Sequence, residues 1–284
     1  MDARKTDRMA SAVFWFIGCI ALGILAFIVV EILGRGLIKA FTPSFFAGKP
    51  RALSEGGGIG PMIVSTIYLV FLTMLISFPV SVGAAVYLAE FAREGRFTRF
   101  IRFCLDSLGT VPSIVFAIFG MTMFMFYLNW RTCLLAGALT MALLNLPVLL
   151  RSAEEALRLV PDTYREASMS LGADRWTTVK KVVLPTAMPG IITGTILPLG
   201  RIMGESAVVI FTVGVFVRAI PISPFSPAAP LAGYIWYVQS EAIVPDYRAI
   251  VNGGAAVLLV LIFLINFGTR RLAKYYSKRK SLGG

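Results

Sequence analysis

Two charged residues, Arg201 and Glu205, interrupt a stretch from Thr186 to Val217 that otherwise carries no charge. A spacing of four places two side chains on one face of an α-helix, where an arginine and a glutamate can pair. Arginine also offers a planar fork of N–H donors that suits the oxygens of an oxyanion, and the Ser206 hydroxyl could add a contact. The spacing therefore predicts either an anion-binding face on a transport path or an ion pair that only fixes the rotation of the helix.

Other kinds of chemistry have little support in this chain. It has no histidine among its 284 residues, which excludes histidine-dependent triads and histidine metal sites. The one Gly-Lys pair, at 48–49, precedes a proline, so the Walker A phosphate loop is missing. Three cysteines lie in or beside apolar runs at spacings that match no metal or disulfide framework: Cys19, Cys104 and Cys133. We expect no catalytic, metal or cofactor site in the chain itself.

The elements that must position Arg201 are membrane spans. The chain is 57% hydrophobic and 15% charged, whereas soluble domains average about 45–50% and about 25%. A spanning helix needs about 20 mostly apolar residues. Six runs meet this requirement and predict an all-α, polytopic protein whose solvent is the lipid bilayer: Ser11–Leu33, a run within Gly56–Ala89, Ser107–Trp130, Thr132–Leu150, a run within Thr186–Val217, and Ala249–Gly268. We interpret the first run as a retained span, because it is too long for a signal-peptide core.

The basic residues predict the orientation of these spans. Net charge is +12, but the Lys and Arg side chains lie in short connections between apolar runs, which argues against a nucleic-acid partner and for a topology signal. One side would carry 19 of them, in the N-terminus, the second and fourth connections and the tail, and the other side 7. Because cytoplasmic loops are enriched in Lys and Arg, we expect both termini and the fourth connection in the cytoplasm.

The fourth connection, residues 151–185, is the most informative loop. Asp162 can cap a short helix that continues through the residues after it, and Gly172 offers a C-terminal stop. A second stretch, Trp176 to Val183, then leads into the fifth span. A short helix beneath a bundle can act as a lever arm that passes the movement of a soluble partner into the spans.

This loop resembles the signature of ATP-binding-cassette (ABC) importer permeases through seven residues at fixed offsets: Glu166, Ala167, Ser168, Gly172, Val182, Leu184 and Pro185. Ser168 and Val182 replace an alanine and an isoleucine of the family pattern. The resemblance implies a type I ABC importer permease fold in which the loop forms a coupling helix that seats in a groove of an ATPase subunit. It implies polar contact with the ATPase from Glu166, close packing at Ala167 and the turn after the helix at Gly172.

Four further segments are similar to the A-type (PstA-like) permeases of phosphate importers: Gly56–Ile59, Gly83–Glu90, Val111–Phe116 and Gly200–Ser206. This resemblance implies a multi-pass subunit of the bacterial inner membrane that moves phosphate inward by alternating access. It implies a heterodimer with a sister permease, two ATPase subunits that bind ATP and Mg²⁺, and an extracytoplasmic phosphate-binding protein. On a transport path of this kind, Glu205 would pair with Arg201 when no anion is present.

We therefore divide the chain into a cytoplasmic N-terminus (1–10), a first span with its outer loop (11–55), a permease core (56–270) and a basic cytoplasmic tail (271–284). Two alternatives stay open at this point. One is a permease for another oxyanion, such as sulfate or molybdate, and the other is a membrane scaffold or sensor that transports nothing.

The outer segment 221–230 has a proline at every third position, which favours an extended, polyproline-like stretch. Tyr234, Trp236 and Tyr237 follow it. Aromatic residues beside a span usually lie at the membrane–water interface, although this segment could also form a lip that touches an external partner.

Overall fold

The computed structural model describes residues 3–51, 54–93, 95–241 and 244–281, without the side chains of 3–6, 8–10 and 278–281. Six basic residues that predict the orientation, at 4, 5, 8 and 278–280, have side chains outside this described part. Within it the regular elements are helical: α1 (Ala3–Ala40), α2 (Pro43–Ala47), α3 (Gly60–Val86), α4 (Arg96–Thr110), α5 (Ser113–Met121), α6 (Leu134–Arg158), α7 (Asp162–Ser170), α8 (Arg175–Thr178), α9 (Leu184–Gly194), α10 (Ile196–Gly204), α11 (Ala207–Thr212), α12 (Leu231–Glu241) and α13 (Tyr247–Ser281). Three π-helical turns extend or join them: Tyr87–Phe91, Thr122–Tyr127 and Val179–Val183.

Six membrane spans account for the long apolar elements of the described residues. Five are long helical segments: Ser11–Ala40, Gly60–Phe91, Leu134–Arg158, Arg175–Gly204 and Tyr247–Ser277. The sixth comes from a bent pair, Arg96–Thr110 and Ser113–Tyr127, whose halves meet at 96°. The prediction of a six-helix, all-α membrane protein is confirmed.

The third span is shorter than the sequence predicts. It was expected to start at Ser107, but Ser107 belongs to α4, which runs almost perpendicular to α5. Val111 and Pro112 adopt extended backbone angles between the two helices. A proline pushes the residue before it out of the α region and removes a donor, so the chain turns here and the span begins at Ser113.

Two other spans also have different bounds from those predicted. The fourth was expected to end at Leu150, yet α6 continues to Arg158 and takes the first part of the predicted loop 151–185 into its last two turns. The fifth begins well before Thr186, in α8, and its regular helix stops at Gly204. A short helix, α11, continues beyond a break at 205–206.

The core forms around α6, most of which is buried, where it packs against α3, α5, α9 and α11. Leu69 of α3, Met141 of α6 and Val208 of α11 are fully or almost fully buried in one apolar cluster between these helices. By contrast, α1 leaves its apolar stretch uncovered and packs mainly along α13, where Gly36 lies against the backbone of Asn252.

The proline-rich outer segment is not continuously extended. A turn closes at its centre, where the Ser226 amide donates to the Ser223 carbonyl at 3.0 Å. The segment then folds back on α6: the amides of Leu134 and Leu135 donate to the carbonyls of Ser226 and Pro224, at 3.2 and 2.8 Å. Because the first amides of a helix lack partners within it, this segment caps the outer end of α6.

Candidate functional site

The predicted coupling helix forms as α7, and it has no buried residue. Glu166 and Ala167 are exposed on it, while Ser168 is half-buried and shares a 2.9 Å hydrogen bond with the hydroxyl of Thr178. Apolar side chains also face outward around this helix, and Leu171 is 90% exposed. An exposed mixture of apolar and polar groups on a short surface helix is typical of a protein-docking surface.

Gly172 ends this helix in the manner that the sequence predicts. Its φ is +85°, in the left-handed region that side chains disfavour. The Gly172 amide donates to the Met169 carbonyl at 2.9 Å, and the next amide donates to the Ser168 carbonyl at 3.3 Å. This pair of bonds is the Schellman arrangement of a helix C-terminus. Leu184 packs against an apolar cluster formed by residues of α3, α6 and α9. Pro185 lies in the first turn of α9.

Arg165 fixes α7 to the spans, and the sequence analysis did not identify it. Its guanidinium makes five hydrogen bonds. Two go to the Glu90 carboxylate at 2.7 and 3.3 Å, two to the carbonyls of Leu157 and Val160 at 3.1 and 2.7 Å, and one to Asp162 at 3.0 Å. Arginine has five N–H donors, so its hydrogen-bonding capacity is filled.

The partners of Arg165 belong to different spans. Glu90 lies in the π-helical turn at the cytoplasmic end of α3 and is 6% exposed, and Leu157 and Val160 lie at the end of α6. The hydrogen bond to Glu90 raises the pKa of Arg165 above its ordinary value, although burial opposes the shift. The guanidinium therefore stays charged, and it joins α7 to the second and fourth spans. In the sequence, the only signs of this contact are that Glu90 ends an apolar run and that Arg165 directly precedes Glu166.

Arg201 lies in the last turn of α10 and lines a cavity of ≈ 550 Å³. The walls come from α6, α10 and α13, with Asn145 near the middle of α6 and Asn266 on α13 among them. Among the described residues, no carboxylate pairs with Arg201 and no hydrogen bond reaches its guanidinium. A half-buried, charged group that lines a cavity and has no counter-ion among the described residues is suited to an anion.

The predicted helical pair of Arg201 and Glu205 does not form. The helix ends at Gly204, and Glu205 has an extended backbone with a ψ of 112°. Its carboxylate instead accepts a hydrogen bond from the Ala207 amide at 3.1 Å and so caps the start of α11. The residue before the break, Gly204, is a weak helix former.

Ser206 lines a different cavity, of ≈ 460 Å³, formed with α1, α12 and α13. The three residues expected on the substrate path are therefore not brought together within this chain. The break between α10 and α11 remains informative, because irregular backbone within a membrane is tolerated only where protein or a water-filled cavity surrounds it.

Two amides in the Arg201 cavity were also missed by the sequence analysis. Asn145 is fully buried, and its Nδ2 donates to the Met141 carbonyl at 2.9 Å, whereas its Oδ1 has no partner. The Oδ1 of Asn266 is likewise buried and without a partner. Asparagines within apolar spans were the signal available, since polar groups in spans usually face the bundle or a cavity.

Within the described part of the chain, no group of three potential metal ligands occurs.

Comparison with known proteins places this geometry in context. Residues 81–282 match the family described as binding-protein-dependent transport system inner membrane component. The chain is 38% identical to the probable ABC transporter permease protein YqgI of Bacillus subtilis, over 98% of this chain and 99% of the relative. It is 30% identical to the phosphate transport system permease protein PstA 1 of Mycobacterium tuberculosis, over 98% and 91%.

Solved structures agree on the fold. An inward-facing structure of the MetNI methionine ABC transporter aligns with a TM-score of 0.60 at 23% identity, covering 77% of this chain and 94% of that one. A bacterial ABC transporter for the import of the polysaccharide alginate aligns with a TM-score of 0.58 at 14% identity, covering 94% and 99%. The family match confirms the importer-permease resemblance, and the solved structures confirm the expected type I fold.

Proposed function

Because this chain belongs to the binding-protein-dependent transport system inner membrane component family, it is the permease of an ABC importer, and we propose that its substrate is inorganic phosphate. Several relatives at about 30% identity over nearly their whole length are phosphate permeases. The relative at 38% identity has no substrate in its name, and the solved transporters carry methionine and alginate. The choice of substrate therefore depends on the site rather than on the fold.

The observation that carries the proposal is the free guanidinium of Arg201 beside a cavity between three helices. Arg201 lies in the last turn of the helical segment that forms the fifth span, and charged side chains within spans are rare and usually retained for function. Arginine binds phosphate oxygens through two parallel N–H donors, and its charge persists at every physiological pH. Glu205 and Ser206 would join the path only after a rearrangement of the break between α10 and α11, or through a second subunit.

The remaining parts of the mechanism follow from α7. We propose that two separate ATPase subunits hold ATP and Mg²⁺, and that Glu166 and Ala167 contact one of them. Movement of α7 would reach the second and fourth spans through Arg165, and the bundle would alternate between outward-open and inward-open states. A sister permease would complete the path, and an extracytoplasmic phosphate-binding protein would deliver the anion to it.

Uptake of radiolabelled phosphate by the assembled transporter in proteoliposomes tests this proposal. We expect Arg201→Gln to reduce ATP-driven uptake at least about tenfold, the effect of one lost charge-assisted contact, with unchanged membrane level and ATPase assembly. Glu205→Gln should also reduce it. Arg131→Gln is the matched control, because Arg131 is exposed on an outer loop, and should transport normally.

The same assay with competing anions addresses the substrate. Unlabelled phosphate should suppress the uptake, whereas sulfate and molybdate at equal concentration should not. Undiminished uptake in both Arg201→Gln and Glu205→Gln, or equal competition by sulfate, would reject the proposal.

A further inference from the structure

The connection between the second and third spans folds as a helix that plays no part in the function proposed above. This helix, α4, has no buried residue and meets α5 at 96°. Three phenylalanine rings are largely exposed along it, at 69%, 62% and 67%: Phe97, Phe100 and Phe103. A contiguous patch of large apolar side chains marks a surface that contacts a membrane or another protein.

Arginines form a second row beside these rings. An Arg-Phe pair recurs every third residue, so Arg96, Arg99 and Arg102 each directly precede one of the three phenylalanines. Residues three apart are neighbours on a helix surface, and the two rows therefore run side by side along α4. The guanidinium groups of Arg96 and Arg99 belong to exposed residues.

The remaining face of α4 fixes the helix to the bundle. Ile101 and Leu105 pack against the apolar cluster of α3, α6 and α9. Arg102 pairs with Glu154 of α6, with 2.9 Å between the nitrogen and the carboxylate oxygen. Protein contacts thus hold one side of α4 and the third arginine, while the exposed rings and the first two arginines face away from the bundle.

The right-angle bend sets the plane in which α4 lies. The third span begins with α5 at Ser113, and membrane spans lie on average about 20° from the bilayer normal. A helix almost perpendicular to α5 therefore runs nearly parallel to the membrane surface, at the level where the span starts. Because the N-terminus is cytoplasmic, the connection after the second span is cytoplasmic too.

We propose that α4 is an interfacial anchor that binds anionic phospholipids of the cytoplasmic leaflet. Its exposed phenylalanines lie among the acyl chains, and Arg96 and Arg99 bind the lipid phosphates. Helices with a basic face and an apolar face rich in phenylalanine lie in the plane of the interface, with the apolar face about 5–10 Å deep. Arginine binds phosphate oxygens through two parallel N–H donors. The inference concerns the lipid around the transporter and does not depend on its substrate.

A lipid surface fits both rows of side chains at once. A soluble subunit approaches from the cytoplasm and could cover the arginines, but rings at the start of a span lie beside hydrocarbon. Anionic lipid offers apolar chains and a negative phosphate within one molecule, so it complements the Arg-Phe pairs of α4. A second permease could cover the same rings, and the test below distinguishes that outcome.

Photo-cross-linking of the assembled transporter tests the role of the arginines. The nanodiscs consist of phosphatidylcholine with a trace of either phosphatidylglycerol or phosphatidylcholine that carries a diazirine in its head group, and mass spectrometry maps the cross-links. Each basic residue near an anionic surface corresponds to about fivefold in affinity. The yield on α4 should therefore be about 25-fold higher with phosphatidylglycerol. Arg96→Gln and Arg99→Gln should each lower this preference about fivefold, and the double variant should show none.

A diazirine in the acyl chain tests the apolar row. This probe should label the peptide that contains Phe97 and Phe100 with either head group, since the rings contact the chains. A variant with both Phe97→Gln and Phe100→Gln should lose that label at least about tenfold, because burial of each ring is worth at least that factor. These positions and both arginines are exposed, so the variants should assemble normally.

Arg158→Gln is the matched control for the loss of one cytoplasmic charge. Arg158 pairs with Glu154 on α6, and its replacement should leave the lipid preference of α4 unchanged. If neither probe labels α4 while the spans are labelled, protein covers the helix and the inference is wrong. Equal labelling by the two head groups, or a preference that survives in the double arginine variant, would also overturn it.

Discussion

The contact between Arg165 and Glu90 predicts that coupling depends on one ion pair, in which the glutamate is buried and the arginine is partly buried. The side chains are 18% and 6% exposed, and Nη2 of Arg165 lies 2.7 Å from Oε1 of Glu90. Removing one partner of a buried pair strands the other charge and typically costs about 3–5 kcal/mol. We expect Glu90→Leu and Arg165→Met each to destabilise the transporter by about that amount. Arg165→Met should lie at the upper end, because the Leu157 and Val160 carbonyls also lose their donor.

A double-mutant cycle isolates the pair itself. Replacing both partners by apolar side chains of similar volume leaves no stranded charge and is often close to neutral. The double variant should thus be less destabilised than either single variant, so it should fall short of the sum of the two by at least about 3 kcal/mol. Chemical unfolding of the purified complex in detergent supplies the four free energies of the cycle.

Transport gives the second measurement. Since Arg165 joins α7 to α3 and α6, all three variants should lose stimulation of ATP hydrolysis by the substrate-loaded binding protein, while basal hydrolysis continues. Arg158→Gln is the matched control, because Arg158 pairs with Glu154 four residues earlier on the same helix and is half exposed. That change should cost about 0.3–0.5 kcal/mol and leave stimulation intact. A coupling energy below about 1 kcal/mol, or normal stimulation in the double variant, would refute the reasoning.

Two further predictions concern the same loop. Gly172→Ala forces a side chain into a left-handed conformation and should cost about 1–2 kcal/mol of stability, with reduced uptake. The control, Gly83→Ala, lies in an exposed and open part of α3 and should instead stabilise the protein by about 0.5–1 kcal/mol. Equal effects of the two substitutions would contradict this explanation. Hydrogen bonding, first to Thr177, lowers the pKa of the Asp174 carboxyl, so its cap on α8 is present above the ordinary aspartate range and is lost as pH falls through the lowered pKa. The protection of the Trp176 amide against hydrogen exchange, corrected for the intrinsic exchange rate at each pH, should therefore fall on acidification in the natural protein and show no such step in Asp174→Ala.

The sequence predicted those features that depend on a few neighbouring residues, such as apolar length or a glycine at a helix end. The number of spans follows from the apolar runs, and the end of α7 follows from one glycine that can adopt positive φ. The start of the third span was wrong although Pro112 was visible, because hydropathy alone does not show where a helix turns. The break after Gly204, which places the Glu205 carboxylate on the Ala207 amide, was not predicted because Arg201 and Glu205 have the spacing of a helical pair.

Contacts between distant parts of the chain had no local signal. Glu90 and Arg165 lie 75 positions apart, and Asn145 and Asn266 belong to helices that meet only in the folded bundle. A single sequence shows the charge or amide at each position but not the partner, since many pairings satisfy the same composition. The cavity beside Arg201 is therefore known only from the structure.

The right-angle turn at Pro112 affects the membrane around the protein. The span that follows has 15 residues, Ser113–Tyr127, and at about 1.5 Å per residue it is about 22 Å long. The hydrocarbon layer of a bilayer is about 30 Å thick. A span shorter than this layer is accommodated by local thinning of the bilayer, by flanking side chains that reach the interface or by association with another helix, each at a modest cost for each ångström of mismatch. We therefore expect this helix to respond more strongly than the longer spans when the length of the lipid acyl chains is changed.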